Sequence, residues 1–162
     1  MWINVSSISN KKEFVAKGEI SASDVDAYFA EEGECRALSP LKYEARLLAH
    51  SKYIALNATA QATLELSCHR CGAPFTRELS LDLSLKLIEA SSVAGVEEVI
   101  LSEDDLDTVT YQNSGFDLDA ILLESVYLEI DGECVCDASC KGICTQCGKN
   151  LNSGACDCTP NQ

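Results

Sequence analysis

Three stretches of the chain alternate apolar and polar residues with a period of two. Leu41, Tyr43, Ala45 and Leu47 alternate with Lys42, Glu44 and Arg46. Leu56, Ala58, Ala60, Ala62, Leu64 and Leu66 alternate with Asn57, Thr59, Gln61, Thr63 and Glu65. Leu79, Leu81, Leu83, Leu85 and Leu87 alternate with Ser80, Asp82, Ser84 and Lys86. In a strand this pattern puts every apolar side chain on one face, so each stretch predicts a long, half-buried strand. The second and third are expected to join at a hairpin turn over Cys68–Pro74. The small alanines of the second strand predict either close packing against it or a sheet curled towards a barrel. Two helices are expected beside the strands. Ser21 or Ser23 would cap one that passes through Val25, Tyr28 and Phe29 and ends at Gly33. Asp117 would cap another with Leu118, Ile121, Leu122 and Ser125 at helical spacing, ending near Ile130. His50 falls on an expected strand. Val93–Gly115 reads as an acidic, mobile loop with a short strand near Thr108–Tyr111. The expected class is α+β: a curled antiparallel sheet, a barrel-like meander, with two short helices and a cysteine-knuckle C-terminal tail. The domain reading is a β-rich core over 1–133, with an acidic segment at 87–133, and a cysteine-rich tail over 134–162 docking on the 68–74 turn.

The last part of the chain changes character. From Cys134 to Cys158 only Val135, Ile143 and Leu151 are large and aliphatic. Three such side chains cannot make a core, so the segment needs cross-links to be ordered. The chain has ten cysteines in 162 residues. Met1–Ser7 offers neither a basic stretch nor an apolar one of the secretory kind, and no apolar run approaches the roughly 20 residues that span a bilayer. The expected compartment is the cytoplasm, where disulfides rarely persist and metal binding is the first explanation for many cysteines.

The cysteine spacing carries the chemistry. Cys68-His69-Arg70-Cys71-Gly72 and Cys144-Thr145-Gln146-Cys147-Gly148 share the pattern C-x-x-C-G. Two intervening residues bring both sulfurs onto one ion, and the glycine can take a positive φ that turns backbone N–H groups towards the thiolates. Cys136, Cys140, Cys156 and Cys158 complete eight cysteines in four close pairs, the number required by two tetrahedral four-thiolate zinc sites. Locality groups Cys144, Cys147, Cys156 and Cys158 at one site and Cys68, Cys71, Cys136 and Cys140 at the other. The competing partition puts both C-x-x-C-G knuckles on one ion. Cys35 and Cys134 are left over and read as buried or idle thiols.

Other chemistries fit less well. A redox pair of the thioredoxin kind sits at a helix N-terminus, whereas Cys68 and Cys71 fall between strands. Iron–sulfur ligation uses four thiolates too, and spacing alone does not separate it from zinc. Four-cysteine sites are closed, without the open position a catalytic zinc needs, and the chain has two histidines and no nucleophile or phosphate-loop motif. The expectation is a non-enzymatic protein, with no small-molecule substrate and no membrane.

The net charge is −14, and it is regional: Leu87–Cys140 holds 14 acidic residues and no lysine or arginine. Eight thiolates and two Zn²⁺ would take the total to about −18. Bulk charge would not hold this protein on nucleic acid.

The motif around Cys68, Arg70 and Cys71 follows a small-residue strand, and an acidic stretch and a helix come next. The tail then carries Cys136, Cys140, Lys141, Gly142, Cys144, Cys147, Gly148, Asn150, Leu151, Asn152, Gly154, Cys156 and Cys158. Together these residues resemble the bacterial YceD family, the large ribosomal RNA subunit accumulation proteins, over Leu41 to Cys158. The chain departs by adding Cys134 and by Ile130-Asp131-Gly132-Glu133, where relatives tend to carry proline. The resemblance implies a role in ribosome biogenesis, supporting accumulation of large-subunit (23S) ribosomal RNA. It brings no catalytic residues. Three forms of that role are compatible with the sequence. One is an RNA-facing factor using His69, Arg70, Arg77, Lys141 and Lys149 on ribosomal RNA or a pre-ribosomal particle. The second is an acidic chaperone for a basic ribosomal protein, and the third is a zinc holdase switched by oxidation.

Overall fold

The computed structural model describes residues 1–30, 35–92, 107–130 and 134–158. In chain order these form β1 (Trp2–Asn4), β2 (Phe14–Ile20), α1 (Ala22–Phe29), β3 (Cys35–Ala37), β4 (Leu41–Ala49), β5 (Ile54–Ser67), β6 (Pro74–Glu89), β7 (Thr108–Tyr111), β8 (Gly115–Asp117) and α2 (Leu118–Ile130). The class is α+β. The expected end of the first helix at Gly33, the acidic loop over 93–106 and the Asp131–Glu133 segment lie outside the described residues.

Alternation builds the sheet as expected. β5 and β6 pair antiparallel from Ile54↔Leu87 to Ser67↔Pro74, and β4 pairs antiparallel with the other side of β5. All seven inward residues of β5, from Ile54 to Leu66, are buried, while Asn57, Thr59 and Gln61 face solvent. β2 continues the sheet beyond β4. β3 pairs with β5 at Ala37↔Leu64, beyond the end of β4. Between β3 and β4 the chain breaks at Ser39-Pro40, where the Ser39 hydroxyl accepts from Thr63 N at 2.8 Å in place of a backbone carbonyl. His50 begins the turn after β4, stacked on Tyr53 with ring centroids 4.6 Å apart, so it is not a strand residue.

The barrel-like closure is not formed. The main path of the sheet is β2-β4-β5-β6-β7, open between β2 and β7 among the described strands. β7 lies parallel to β6, so the last strand is not the return of a meander. The inner face is buried by a second layer instead. Ala58, Ala60 and Ala62 share one buried cluster with Val25 and Phe29 of α1 and Leu118, Leu122 and Val126 of α2. Phe29 stacks on Tyr127 across the two helices, with centroids 6.1 Å apart. Small side chains on β5 therefore serve layer packing, and closure is not needed to cover that face.

Both helices start at the capping residues that the sequence suggested. The Ser21 hydroxyl accepts from Asp24 N at 3.2 Å, and Asp117 Oδ1 accepts from Asp119 N at 3.0 Å. The Met1 amino group reaches the same corner, bonding Asp117 Oδ1 at 2.9 Å and Asp119 Oδ2 at 2.6 Å. β1 pairs with β8 there, and a Cβ at Gly115 would stand 2.5 Å from the Ile3 carbonyl oxygen. No described helix is long and apolar enough to cross a membrane.

Candidate metal centres

The turn that joins the two longest strands is itself a knuckle. Cys68 N donates to Ala73 O at 3.0 Å, Gly72 N donates to Cys68 O at 2.8 Å, and Gly72 takes φ +68°. The tail repeats the same turn. Cys144 N donates to Lys149 O at 2.8 Å, Gly148 N donates to Cys144 O at 2.8 Å, and Gly148 takes φ +71°. Two segments of different sequence thus adopt one hydrogen-bond pattern, set by C-x-x-C-G.

The eight sulfurs fall in two groups, and within each all lie within 4.8 Å of one another: Cys68, Cys71, Cys136 and Cys140, and separately Cys144, Cys147, Cys156 and Cys158. The two C-x-x-C-G knuckles stand in different groups. Cys68 Sγ is 3.8 Å from Cys140 Sγ, and Cys71 Sγ is 3.8 Å from Cys136 Sγ. A disulfide needs about 2.05 Å. Four sulfurs each about 2.3 Å from a tetrahedral zinc are separated by about 3.8 Å. The donor set and its spacing therefore fit one tetrahedral ion per group, consistent with zinc. A multi-iron cluster would insert metal and sulfide between the thiolates and spread them further.

The groups differ in exposure. Cys68, Cys71 and Cys140 are buried, with Ala73, Phe75 and Val135 packed around them, while the fourth sulfur of this group, on Cys136, belongs to an exposed residue. In the other group Cys147 is exposed and the rest are half-buried. The tail meets the knuckle of β5–β6 through its backbone. His69 N donates to Cys134 O at 2.8 Å, and a Cβ at Gly142 would stand 3.1 Å from Arg70 O.

Proton affinity is unequal among the metal-free thiols. Cys68 is held down to about 6, mainly by a backbone N–H of Cys136, with the N–H groups of Cys71 and Arg70 adding to it. Cys144 is held down to about 6 by the N–H groups of Cys147 and Gln146. The partners that keep the protons go up: Cys136 and Cys158 are each pushed to about 12, chiefly by donating to neighbouring sulfurs. Cys140 is lowered, first of all by the Asn152 side-chain amide, whose Nδ2 donates to Cys140 Sγ at 3.3 Å. Asn152 is the contributor that sequence reasoning missed. Its only signal was the Asn150-Leu151-Asn152 run after the second knuckle.

The basic residues are spread along these features. His69, Arg70, Lys141 and Lys149 are exposed and Arg77 is half-buried on β6. Arg70 and the Lys141-Gly142 backbone come together at the first knuckle. Lys149 belongs to the second, with Nζ donating to Ala155 O at 2.7 Å. Cys134 is buried and Cys35 half-buried, and neither joins a four-sulfur group. Burial, with Asp26 and Cys134 nearby, pushes the Cys35 thiol up to about 11.

The family described as "Large ribosomal RNA subunit accumulation protein YceD" matches residues 56–162. Among curated proteins the chain is similar to the chloroplastic large ribosomal RNA subunit accumulation protein YCED homolog 1 of Arabidopsis thaliana. The two are 25% identical over 142 residues, covering 74% of this chain and 44% of the relative. The homolog 1 protein of Zea mays is 24% identical over 136 residues, covering 65% of this chain and 44% of the relative. The chain thus spans less than half the length of these relatives. No solved structure matches it. The matched region takes in β5 from Leu56 onwards, β6, α2 and all eight grouped cysteines, and by that match the chain belongs to the YceD family of large ribosomal RNA subunit accumulation proteins.

Proposed function

We propose that this protein is a non-enzymatic zinc-binding factor that supports accumulation of large-subunit ribosomal RNA, with two zinc ions per chain. The observation that carries the reading is the coincidence of the family match with the eight cysteines of the two four-thiol groups. Four thiolates close the coordination of each ion, which favours a scaffolding zinc over a catalytic one. The cytoplasm remains the proposed location, since the chloroplast is stated only in the names of the plant relatives. The decisive experiment depletes the protein in its own host and measures large-subunit against small-subunit ribosomal RNA. The large-subunit species should fall, recover with the wild-type chain, and stay low with Cys68→Ser. An unchanged ratio would remove the reading.

Direct contact with RNA is the favoured form. Arg70 lies beside the Lys141-Gly142 backbone at the first knuckle, His69 is exposed next to it, and Arg77 and Lys149 extend the basic set. Five phosphate contacts to single-stranded RNA would make log K fall with log salt at a slope of about −3.5. Affinity that ignores salt would exclude them. The second form, an acidic chaperone for a basic ribosomal protein, is favoured by 14 acidic residues without a lysine or arginine over Leu87–Cys140. Neutralising Glu97–Asp107 would then abolish capture of that protein and leave RNA binding alone.

A further inference from the structure

We propose that Asn152 couples the two metal centres, so that the exposed centre governs how firmly the buried one holds its ion. The inference rests on the four-thiolate reading given above. Asn152 stands in the loop between Cys147 and Cys156, whose two ends are both ligands of the exposed group. Its side chain serves the other group. Nδ2 donates to Cys140 Sγ at 3.3 Å, and Oδ1 accepts from Lys141 N at 2.8 Å. Asn150 holds it in that pose, with Oδ1 accepting from both Asn152 N and Asn152 Nδ2 at 2.9 Å. The backbone reinforces the link: Leu151 N donates to Gly142 O at 2.9 Å, and Ile143 and Asn150 form a β-bridge. Only Lys141, Gly142 and Ile143 separate the last cysteine of one group from the first of the other.

The chemistry follows from charge and burial. A zinc bound by four thiolates carries two net negative charges, and Cys140 is buried, away from water that could solvate its sulfur. An amide N–H aimed at that sulfur offsets the charge and fixes the ligand's orientation, as outer groups of metal sites do. This donor is supplied by a loop that an ion between Cys147 and Cys156 ties down at both ends. When the exposed centre empties, the loop loses its tether and Asn152 leaves Cys140. Coupling between binding sites is reciprocal, so each ion strengthens the other by the same factor. Asn152 is therefore a positioning residue, acting on the metal through Cys140.

The test uses the full chain loaded with zinc and measures release to an excess of chromophoric chelator. The wild-type chain should release one ion fast, from the exposed centre, and one slowly. Asn152→Ala should speed the slow phase by about 10- to 100-fold. Asn152→Asp should do the same although it keeps the acceptor for Lys141 N, because it has lost the donor to sulfur. Cys147→Ser, which opens the exposed centre, should speed loss of the remaining ion by a similar factor and add nothing in an Asn152→Ala background. In the cadmium-113 form, Asn152→Asp should move the resonance of the Cys140 centre and leave the other in place. A slow phase unchanged by Asn152→Asp, an unmoved Cys140-centre resonance, or multiplying effects of the two substitutions would each overturn the coupling. Fewer than two zinc ions in the wild-type chain would instead overturn the four-thiolate reading itself. Asn152→Ala and Asn152→Asp retain all eight thiols, so the test stands even if Cys147→Ser fails to fold.

Discussion

Gly72 and Gly142 both adopt left-handed backbone, at φ +68° and +72°, yet their surroundings differ. A Cβ on Gly72 meets nothing within 4 Å, whereas one on Gly142 would stand 3.1 Å from the Arg70 carbonyl oxygen. Gly72→Ala should therefore cost about 1–2 kcal/mol, the strain of a left-handed non-glycine residue alone. Gly142→Ala should cost more, because it also pushes the tail off the first knuckle. Thermal unfolding of the two variants, read side by side, checks the order. The eight grouped cysteines were legible in the sequence because ligand spacing is a local property. The partition was legible too, because the short loop between Cys147 and Cys156 favoured the local grouping that the sulfurs adopt. Asn152 was hidden, because an asparagine acquires its role only when the chain folds back twelve positions onto Cys140.

Among the elements, the long strands were the easiest to read. Each of β4, β5 and β6 presents its alternate apolar residues to one face, and a period of two admits no other regular structure. The three-residue strands β1, β3 and β8 are too short to show a period, and β2 is interrupted by Gly18 and flanking charges. The parallel pairing of β7 was out of reach as well, because alternation fixes which face a residue occupies and says nothing of strand direction. The same gap misled the barrel expectation, since small residues on β5 fit either a tight curl or an overlying layer. α2 supplies that layer, and its two faces should respond differently to truncation. Leu122 is fully buried and Leu128 is 66% exposed. Leu122→Ala should cost about 2–5 kcal/mol in denaturant unfolding, and Leu128→Ala less than about 0.5 kcal/mol. Equal costs would mean that the helix does not pack on the sheet through the Leu118, Leu122 and Val126 side.

The whole molecule depends on two kinds of cohesion. The sheet and its helices share one apolar cluster, while the segment after Cys134 has three large aliphatic residues and is tied by backbone bonds and by its sulfurs. Removing metal should therefore loosen the tail and spare the core. Hydrogen exchange after chelation should show protection lost over 134–158 and kept along β5. Uniform loss along the chain would show the two parts to be one cooperative unit. The first centre has a further consequence, which concerns how the chain is made. Cys71 and Cys136 face each other at 3.8 Å but lie 65 positions apart. At about 5–20 residues per second, a ribosome takes roughly 3–13 s to translate that distance. For those seconds the nascent hairpin displays half a binding site. A polypeptide halted before Cys136 would never complete it, leaving two accessible thiols as a mark of its truncation.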